Sequence, residues 1–499
     1  MGVCALTASF LVLYGGFLLA AIFLLAATGV AFVWLLERKD KTKLAVAFVI
    51  ASVFLLIAVK LGAAFATAEH EYNTLNGKTA KISGYAEKTV YEGNGSRALA
   101  VRIEKSSLPA AEGCLAYTYF FTTETPIPGD RIEAEMSFSV SDNQSRRTLL
   151  GNGYSLIATA KDFRRLEGKA FTPWRAVHYI REAVLEAVDS QTSGEEAAVL
   201  KALIIGDPSD ISASFNQSVK NTGLSHLLVV SGMHLGLLCG IVFAIIQKRS
   251  SRPLYFAFGT ATVLFIGVIC LFQASILRAS LTYIIMLVSR YFLKNYDSLS
   301  SLGLGITITV LINPFIFYSA AFMLSVTATF AVIYPATMLI DSVSFHRFKG
   351  ALQKLFKYAY GVLALSVPSL ICTLPVVVYY FGYAPLIAPI ANLLVELSMN
   401  GALVVGVAAV LIWFVPVVGK VLSIPFFELS RILVRYFISA VEILGESGAG
   451  VLKIASSSHG YCFFIAVAFV IIVKLYHDKQ ILRKEKYRFA RRQNTQIIY

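Results

Sequence analysis

The sequence predicts a polytopic α-helical membrane protein of about eleven transmembrane helices, with a small β domain inserted after the second span. Three observations carry that reading. Of 499 residues, 57% are hydrophobic and only 15% charged, where a soluble domain averages about 25% charged. Apolar runs long enough to cross a hydrocarbon core of about 30 Å recur along the chain, separated by short basic loops. One stretch, about 69–170, breaks the pattern with balanced charge and apolar residues alternating at period two.

Residues 5–36 and 44–66 each suffice for a span, which makes 1–68 a pair of N-terminal transmembrane helices. The first lacks a basic n-region and is too long for the core of a signal peptide. Arg38, Lys39, Lys41 and Lys43 place the loop between them inside and the N-terminus outside. The β domain, 69–170, then lies outside. Its strand candidates are 78–86, 88–92, 97–104, 116–122, 130–138 and 154–160, with turn chemistry at Gly93-Asn94-Gly95 and Pro126-Ile127-Pro128-Gly129-Asp130. Five or six short strands suggest a small barrel. Tyr117, Tyr119, Phe120 and Phe121, with Arg97, Arg102, Arg146 and Arg147, offer aromatic and basic groups of the kind that bind single-stranded nucleic acid. Strand aromatics also pack in cores, the plainer role.

Residues 171–222 read as amphipathic helices lying along the outer membrane surface. Glu195 to Ile205 repeats apolar residues at helical spacing, and Gly206-Asp207-Pro208 stops it. Ser209 or Asp210 is the expected cap of a second helix over about 211–221. Residues 223–476 then return to spans. Lys248, Arg249 and Arg252 mark an inner loop before apolar runs at about 254–272 and 275–293. After Arg290 and Lys294 come 300–317 and 320–340, turning at Asn313-Pro314. The basic 341–357 loop precedes 358–380 and 386–412, joined outside by Phe381-Gly382-Tyr383. Lys420 is inside, spans follow at about 421–441 and 460–476, and the basic tail 477–499 is cytoplasmic.

The charge balance agrees with this topology. Lys and Arg total 44 against 30 Asp and Glu, a net charge of +14. Most of the surplus lies in short loops and the tail, so orientation accounts for it and DNA binding is not required. Cys4, Cys114, Cys239, Cys270, Cys372 and Cys462 form no CxxC pair and read as small core residues. No metal site and no cofactor is expected.

The most informative stretch is Asn221 to Leu237, NTGLSHLLVVSGMHLGL, which carries Asn221, Ser225, His226, Ser231, Gly232 and His234 into an apolar run. Polar groups inside a span usually face the bundle interior or a water-filled path. On a straight helix Ser231 and His234 share a face, offering polar lining or an interhelical hydrogen bond. The plainer reading is a packed span whose polar groups bond to backbone carbonyls. Arg278, near the outer end of its span, reads as a charge facing a polar path, or as a side chain that snorkels or pairs with Glu396 or Asp207. Two other classes fit the same residues. One is an intramembrane serine hydrolase using Ser231 with a histidine as base; the other is a small-solute transporter.

The string GLSHLLVVSGMHLGL resembles the signature of the ComEC/Rec2 family of competence proteins, which admit single-stranded DNA through the inner membrane during natural transformation. Ser275-Ile276-Leu277-Arg278-Ala279 resembles the family's Arg-Ala motif. Asn313-Pro314 and Ala321-Phe322-Met323-Leu324-Ser325 are similar to its NP and GFQLS elements, with Ala and Met replacing Gly and Gln. Leu374-Pro375, Phe381-Gly382 and Ala391-Asn392-Leu393-Leu394 match in order and spacing. Three positions depart from it: Pro208 stands where a basic residue is usual, Leu397 where a proline is common, and Glu396 is unexpectedly acidic.

The resemblance implies an OB-like fold for the β domain and a channel domain over 223–476. It implies a translocation path including Asn221, Ser225, His226, Ser231, Gly232, His234, Arg278, Ser325 and Asn392. It also implies single-stranded DNA as cargo, an extracytoplasmic DNA receptor, a cytoplasmic helicase or translocation ATPase, and a homodimer as a candidate assembly in the lipid bilayer of a bacterial plasma membrane. Larger members end in a metallo-β-lactamase-like domain with a His-rich motif. None of the seven histidines here forms an HxHxDH cluster, so this reads as a short form with no enzyme activity of that kind.

Overall fold

The computed structural model describes residues 60–93, 96–121, 125–139, 143–247, 251–343, 350–446 and 450–496. The first expected span, its basic loop and most of the second lie outside the described residues; 60–75 are helical.

Apolar alternation builds the β domain. Strands β1 (Thr79–Gly93), β2 (Ser96–Ser106), β3 (Leu115–Phe120), β4 (Asp130–Phe138) and β5 (Leu156–Lys169) form a closed barrel in the order β1-β2-β3-β5-β4, with β4 paired back to β1. Only the β3–β5 pair is parallel. In β3 every second residue is buried, and β4 alternates the same way from Ile132 onward. The barrel interior is filled by Ile82, Leu99, Ile103, Phe120, Met136 and Phe138, among others. Removing such side chains from water contributes about 1.5–3 kcal/mol each.

The two strand candidates 78–86 and 88–92 prove to be one strand. Its pairing with β2 shifts register between Ser83 and Gly84, Ala86 and Lys88, and Thr89 and Tyr91. Each extra residue resets the in-out phase, so a single bulged strand looks like two in the sequence.

Between β4 and β5 lies α1 (Asn143–Gly151), and after the barrel come α2 (Trp174–Asp189), α3 (Gly194–Ile205) and α4 (Ala213–Thr222). Two expectations are corrected here. Helix α3 does not lie on a surface, because Ala197 to Leu203 and Ile205 are all buried. Its one interior cation, Lys201, is held between Asp189 and Asp210, each at 2.7 Å. The cap of α4 is Ser212, whose hydroxyl accepts from the Phe215 N–H at 3.2 Å. The helix begins at Ala213, so Ser209 and Asp210 stand before the cap position, and Asp210 pairs with Lys201 instead.

The remaining helices are α5 (Ser225–Leu228), α6 (Gly232–Gln247), α7 (Arg252–Ile269), α8 (Ala274–Tyr291), α9 (Ser298–Ile312) and α10 (Ala320–Ser342, with a π turn at Val332–Ala336). They continue as α11 (Gly350–Phe381), α12 (Ala388–Trp413), α13 (Gly419–Leu422), α14 (Ile424–Gly445) and α15 (His459–Gln496). A short antiparallel pair, β6 (Tyr383–Pro385) and β7 (Val451–Lys453), joins the loops after α11 and α14. Among the described residues, five helices are long and apolar enough to cross a membrane: α7, α10, α11, α12 and the His459–Ile481 part of α15. Two shorter apolar helices are Gly232–Ala244 and Ser298–Ile312. Helices also occupy the places expected for two further spans, α8 and α14; α14 carries Glu428, Arg431, Arg435 and Glu442. This is a multi-pass helical membrane protein.

The contacts divide the chain into two compact units. One takes the described part of Met1–Ile211 with Leu228–Met323 and Leu403–Arg431; the other takes Ser212–Leu227, Leu324–Ala402 and the described part of Ile432–Tyr499.

Candidate translocation site

The signature stretch is not one straight helix. It forms the single turn α5, breaks over 229–231 and restarts as α6 at Gly232. Local hydrogen bonding explains the restart. The Ser231 hydroxyl accepts from the Met233 N–H at 3.2 Å, and His234 Nδ1 accepts from the Ser231 N–H at 3.3 Å. This is a variant of a capping box: His234 at N3 bonds back to the Ser231 N–H in the place usually held by Glu or Gln, while the Ser231 hydroxyl takes the N2 amide instead of the N3 amide. The accepting Nδ1 fixes the proton on Nε2. His234 is buried. Ser231 and His234 therefore work together through helix initiation, with the Ser231 hydroxyl and His234 Nδ1 both engaged by backbone amides. That is a helix start and not the nucleophile–base contact a serine hydrolase needs.

Arg278 lies in the second turn of α8 and is only 5% exposed. Its Nη2 sits 3.3 Å from the point a Cβ on Gly232 would occupy, and Ala279 Cβ is equally close. Glycine at the first position of α6 is what admits the guanidinium there. Backbone N–H groups at a helix start carry partial positive charge, so Arg278 adds a cation where the α6 terminus already favours an anion. Asp207, one partner expected for Arg278, pairs with Arg181 at 3.4 Å.

In the other unit, Asn221 has a structural task. Its Nδ2 donates to Gly445 O at 3.0 Å, and Gln217 donates to its Oδ1 at 3.0 Å. Gly223 ends α4 at φ 74°, and a Cβ there would lie 2.8 Å from both Pro385 Cγ and Ala388 Cβ. His226 is exposed and donates through Nδ1 to Gly223 O at 3.1 Å. The Ser225 hydroxyl is buried without a hydrogen-bond partner among the described residues. Ser325 is half-buried in α10. Asn392, on α12, donates to Ser366 Oγ of α11 at 3.2 Å.

With this geometry in place, comparison with known proteins is informative. Residues 203–479 match the family described as Competence protein, more than half of the chain. The chain belongs to the competence protein family. The ComE operon protein 3 of Bacillus subtilis (strain 168) is 24% identical over 220 residues, 43% of this chain and 26% of that protein. The match thus spans about a quarter of that relative's length. No solved structure matches.

For this competence-family chain, the barrel arginines are mostly engaged within the protein. Arg102 pairs with Glu87 at 2.6 Å, which raises its pKa. Arg146 pairs with Glu69 at 2.6 Å and lies 4.1 Å over the Tyr72 ring. Arg147 lies 5.6 Å over Tyr318, and Arg97 belongs to β2. Phe120 is fully buried, whereas Phe121 is exposed and stacked on Tyr119.

Sequence reasoning missed a clamp at the foot of the barrel. Arg181 of α2 donates to Ile205 O at 2.8 Å and to Ile269 O at 2.7 Å, capping the C-terminal ends of α3 and α7 together. Lys88 of β1 donates to Leu271 O at 2.6 Å and lies 4.9 Å over Trp174. Arg181, Trp174 and Leu271 border a cavity of about 190 Å³ that His178, Asp207 and Gln273 also help to line. Cations at helix C-termini are the expected sign, but pairings across so many residues leave no local pattern in the sequence.

Proposed function

We propose that the protein passes single-stranded DNA inward across a bacterial plasma membrane during competence, with no chemistry of its own on the strand. Family membership supports the uptake role, and the observation that carries the mechanism is Arg278 buried beside the start of α6. A phosphate backbone crossing hydrocarbon needs a path of small residues, backbone dipoles and few positive groups, so that binding stays weak enough for release. Ser231, Gly232, His234 and Arg278 supply that chemistry in one unit; Asn221, Ser225, His226, Ser325 and Asn392 supply polar groups in the other. The work of pulling comes from a cytoplasmic helicase, and an extracytoplasmic receptor delivers the strand.

The barrel's strand order, with β3 parallel to β5, supports an OB-like assignment. Arg97, Arg102, Arg146 and Arg147 then form a secondary set of strand contacts, subordinate because two are already ion-paired. The remaining features of the proposal are a homodimeric assembly, about eleven spans, an outside N-terminus and barrel, and a cytoplasmic tail.

The test is uptake of labelled, non-homologous DNA into the nuclease-protected internal pool of a competent host. Deleting the chain is expected to abolish internal DNA while surface binding persists. Arg278→Ala, inserted at normal levels, is expected to lower uptake at least about tenfold, the effect of losing about 1.4 kcal/mol of transit stabilisation. Wild-type uptake in both Arg278→Ala and Ser231→Ala would overturn the proposed lining.

A further inference from the structure

Helix α12 carries one charged residue, Glu396, in an otherwise uncharged 26-residue span. An ionisable group in a span is costly and, where retained, usually faces a polar path. Glu396 has polar company at helical spacing. Asn392 and Asn400 stand four residues before and after it, so the three side chains follow one another along a single ridge of the helix. At a rise of 1.5 Å per residue the ridge covers about 12 Å, roughly two-fifths of a hydrocarbon core of about 30 Å. All three residues are half-buried, on the border between the inward residues Val395, Met399 and Leu403 and the outward residues Leu394 and Leu397.

Hydrogen bonding on this ridge is one-sided. Asn392 donates through Nδ2 to Ser366 Oγ of α11 at 3.2 Å. Its Oδ1, and that of Asn400, are buried and accept nothing among the described residues. Buried polar atoms are rarely left this way without a water, an ion or a functional reason. Two idle acceptors flank a side chain that becomes a hydrogen-bond donor only when protonated. The other titratable groups nearby among the described residues are phenols: Tyr358 of α11, within electrostatic reach of Glu396, and Tyr436 of α14, whose hydroxyl donates to Leu394 O at 3.3 Å.

We propose that this ridge is a proton relay, in which Glu396 takes up and releases a proton and the Asn392 and Asn400 carbonyl oxygens hold the acid proton or the waters that carry it. The cycle balances without any further reactant. A hydronium on one side protonates the carboxylate, the neutral acid donates its O–H toward an amide oxygen, and a water on the other side then takes the proton. The result is a proton-conducting activity, separate from the proposed passage of DNA.

The assay uses the full-length protein in phosphatidylethanolamine–phosphatidylglycerol vesicles with a pH-sensitive dye inside and an imposed potassium diffusion potential. Parent vesicles are expected to acidify faster than empty ones, Glu396→Gln to fall to the empty-vesicle rate, and Asn400→Leu to fall several-fold. Glu396→Asp, which keeps a carboxyl group, is expected to retain flux. Infrared difference spectra between acidic and alkaline buffer should show a protonated-carboxyl band that Glu396→Gln removes. Equal rates for parent and Glu396→Gln vesicles, or a parent rate no faster than empty vesicles, would overturn the relay. Because the assay contains no DNA, its failure leaves the uptake reading standing, and normal proton flux in a strain defective in uptake would do the reverse.

Discussion

At the scale of single residues, the signature is mostly a set of instructions for bending the chain. Ser231 and His234 start α6 by bonding to each other's neighbourhood, and Gly232 leaves room for Arg278. Gly223 combines a left-handed backbone with contact against Pro385 and Ala388. An alanine there meets both penalties: about 1–2 kcal/mol for the left-handed conformation and about 1–3 kcal/mol for overpacking. Gly223→Ala should therefore lower the thermal midpoint of the purified protein by several degrees; an unchanged midpoint would show that the loop yields freely. The identities of these polar residues were legible in the sequence, but their roles were not. Val229 and Val230 continue the apolar run through the break, hiding it, although the Ser-x-x-His spacing matches a capping box once histidine is allowed as the acceptor. Asn392 and Glu396 stood out in the sequence only singly, and their four-residue spacing with Asn400 became a ridge once the helix was defined.

At the scale of elements, β1 and α2 are fastened to the membrane helices by cations on carbonyl ends. Lys88 gives this fastening a pH dependence. Burial first, and Arg181 second, hold its pKa down to about 8 against an ordinary 10.5. Between those values the unfolded chain binds the proton and the folded chain does not, so this group makes stability rise with pH from about 8 to 10.5. Below that window both states are charged, and the burial cost is paid in full. Thermal midpoints measured across this range should rise more steeply for the parent than for Lys88→Met, and parallel curves would remove Lys88 as the source. The barrel itself was largely legible, because strand alternation survives in β3 and β4. Bulges in β1 disguised one strand as two, and the buried α3 was missed because Glu195, Glu196 and Lys201 give it a surface-like composition. Lys201 escapes that cost by its two carboxylates, which no neighbouring sequence position announces.

At the scale of the whole molecule, the positive-inside pattern makes a sharp statement about orientation. With Cys4 replaced by serine and the five described cysteines all buried, single cysteines can report sidedness. Lys105→Cys, on the exposed barrel surface, should react with a membrane-impermeant maleimide in intact cells. Lys420→Cys should react only after permeabilisation, and the opposite pattern would invert the topology. Alternating apolar runs and basic loops made the membrane class legible, whereas tertiary pairings such as Asn221 with Gly445 depend on folding and stay invisible to composition. Closure of the barrel bears on how partners attach to it. A sheet with a free edge can recruit an extended segment by lending its backbone ladder, but β4 is already hydrogen-bonded to β1. Over Thr79–Tyr85 and Arg131–Ser137 neither can accept a guest strand without parting from the other. A partner that engages this closed seam must therefore grip side chains and loop tips, so recognition there follows surface chemistry and not main-chain complementarity.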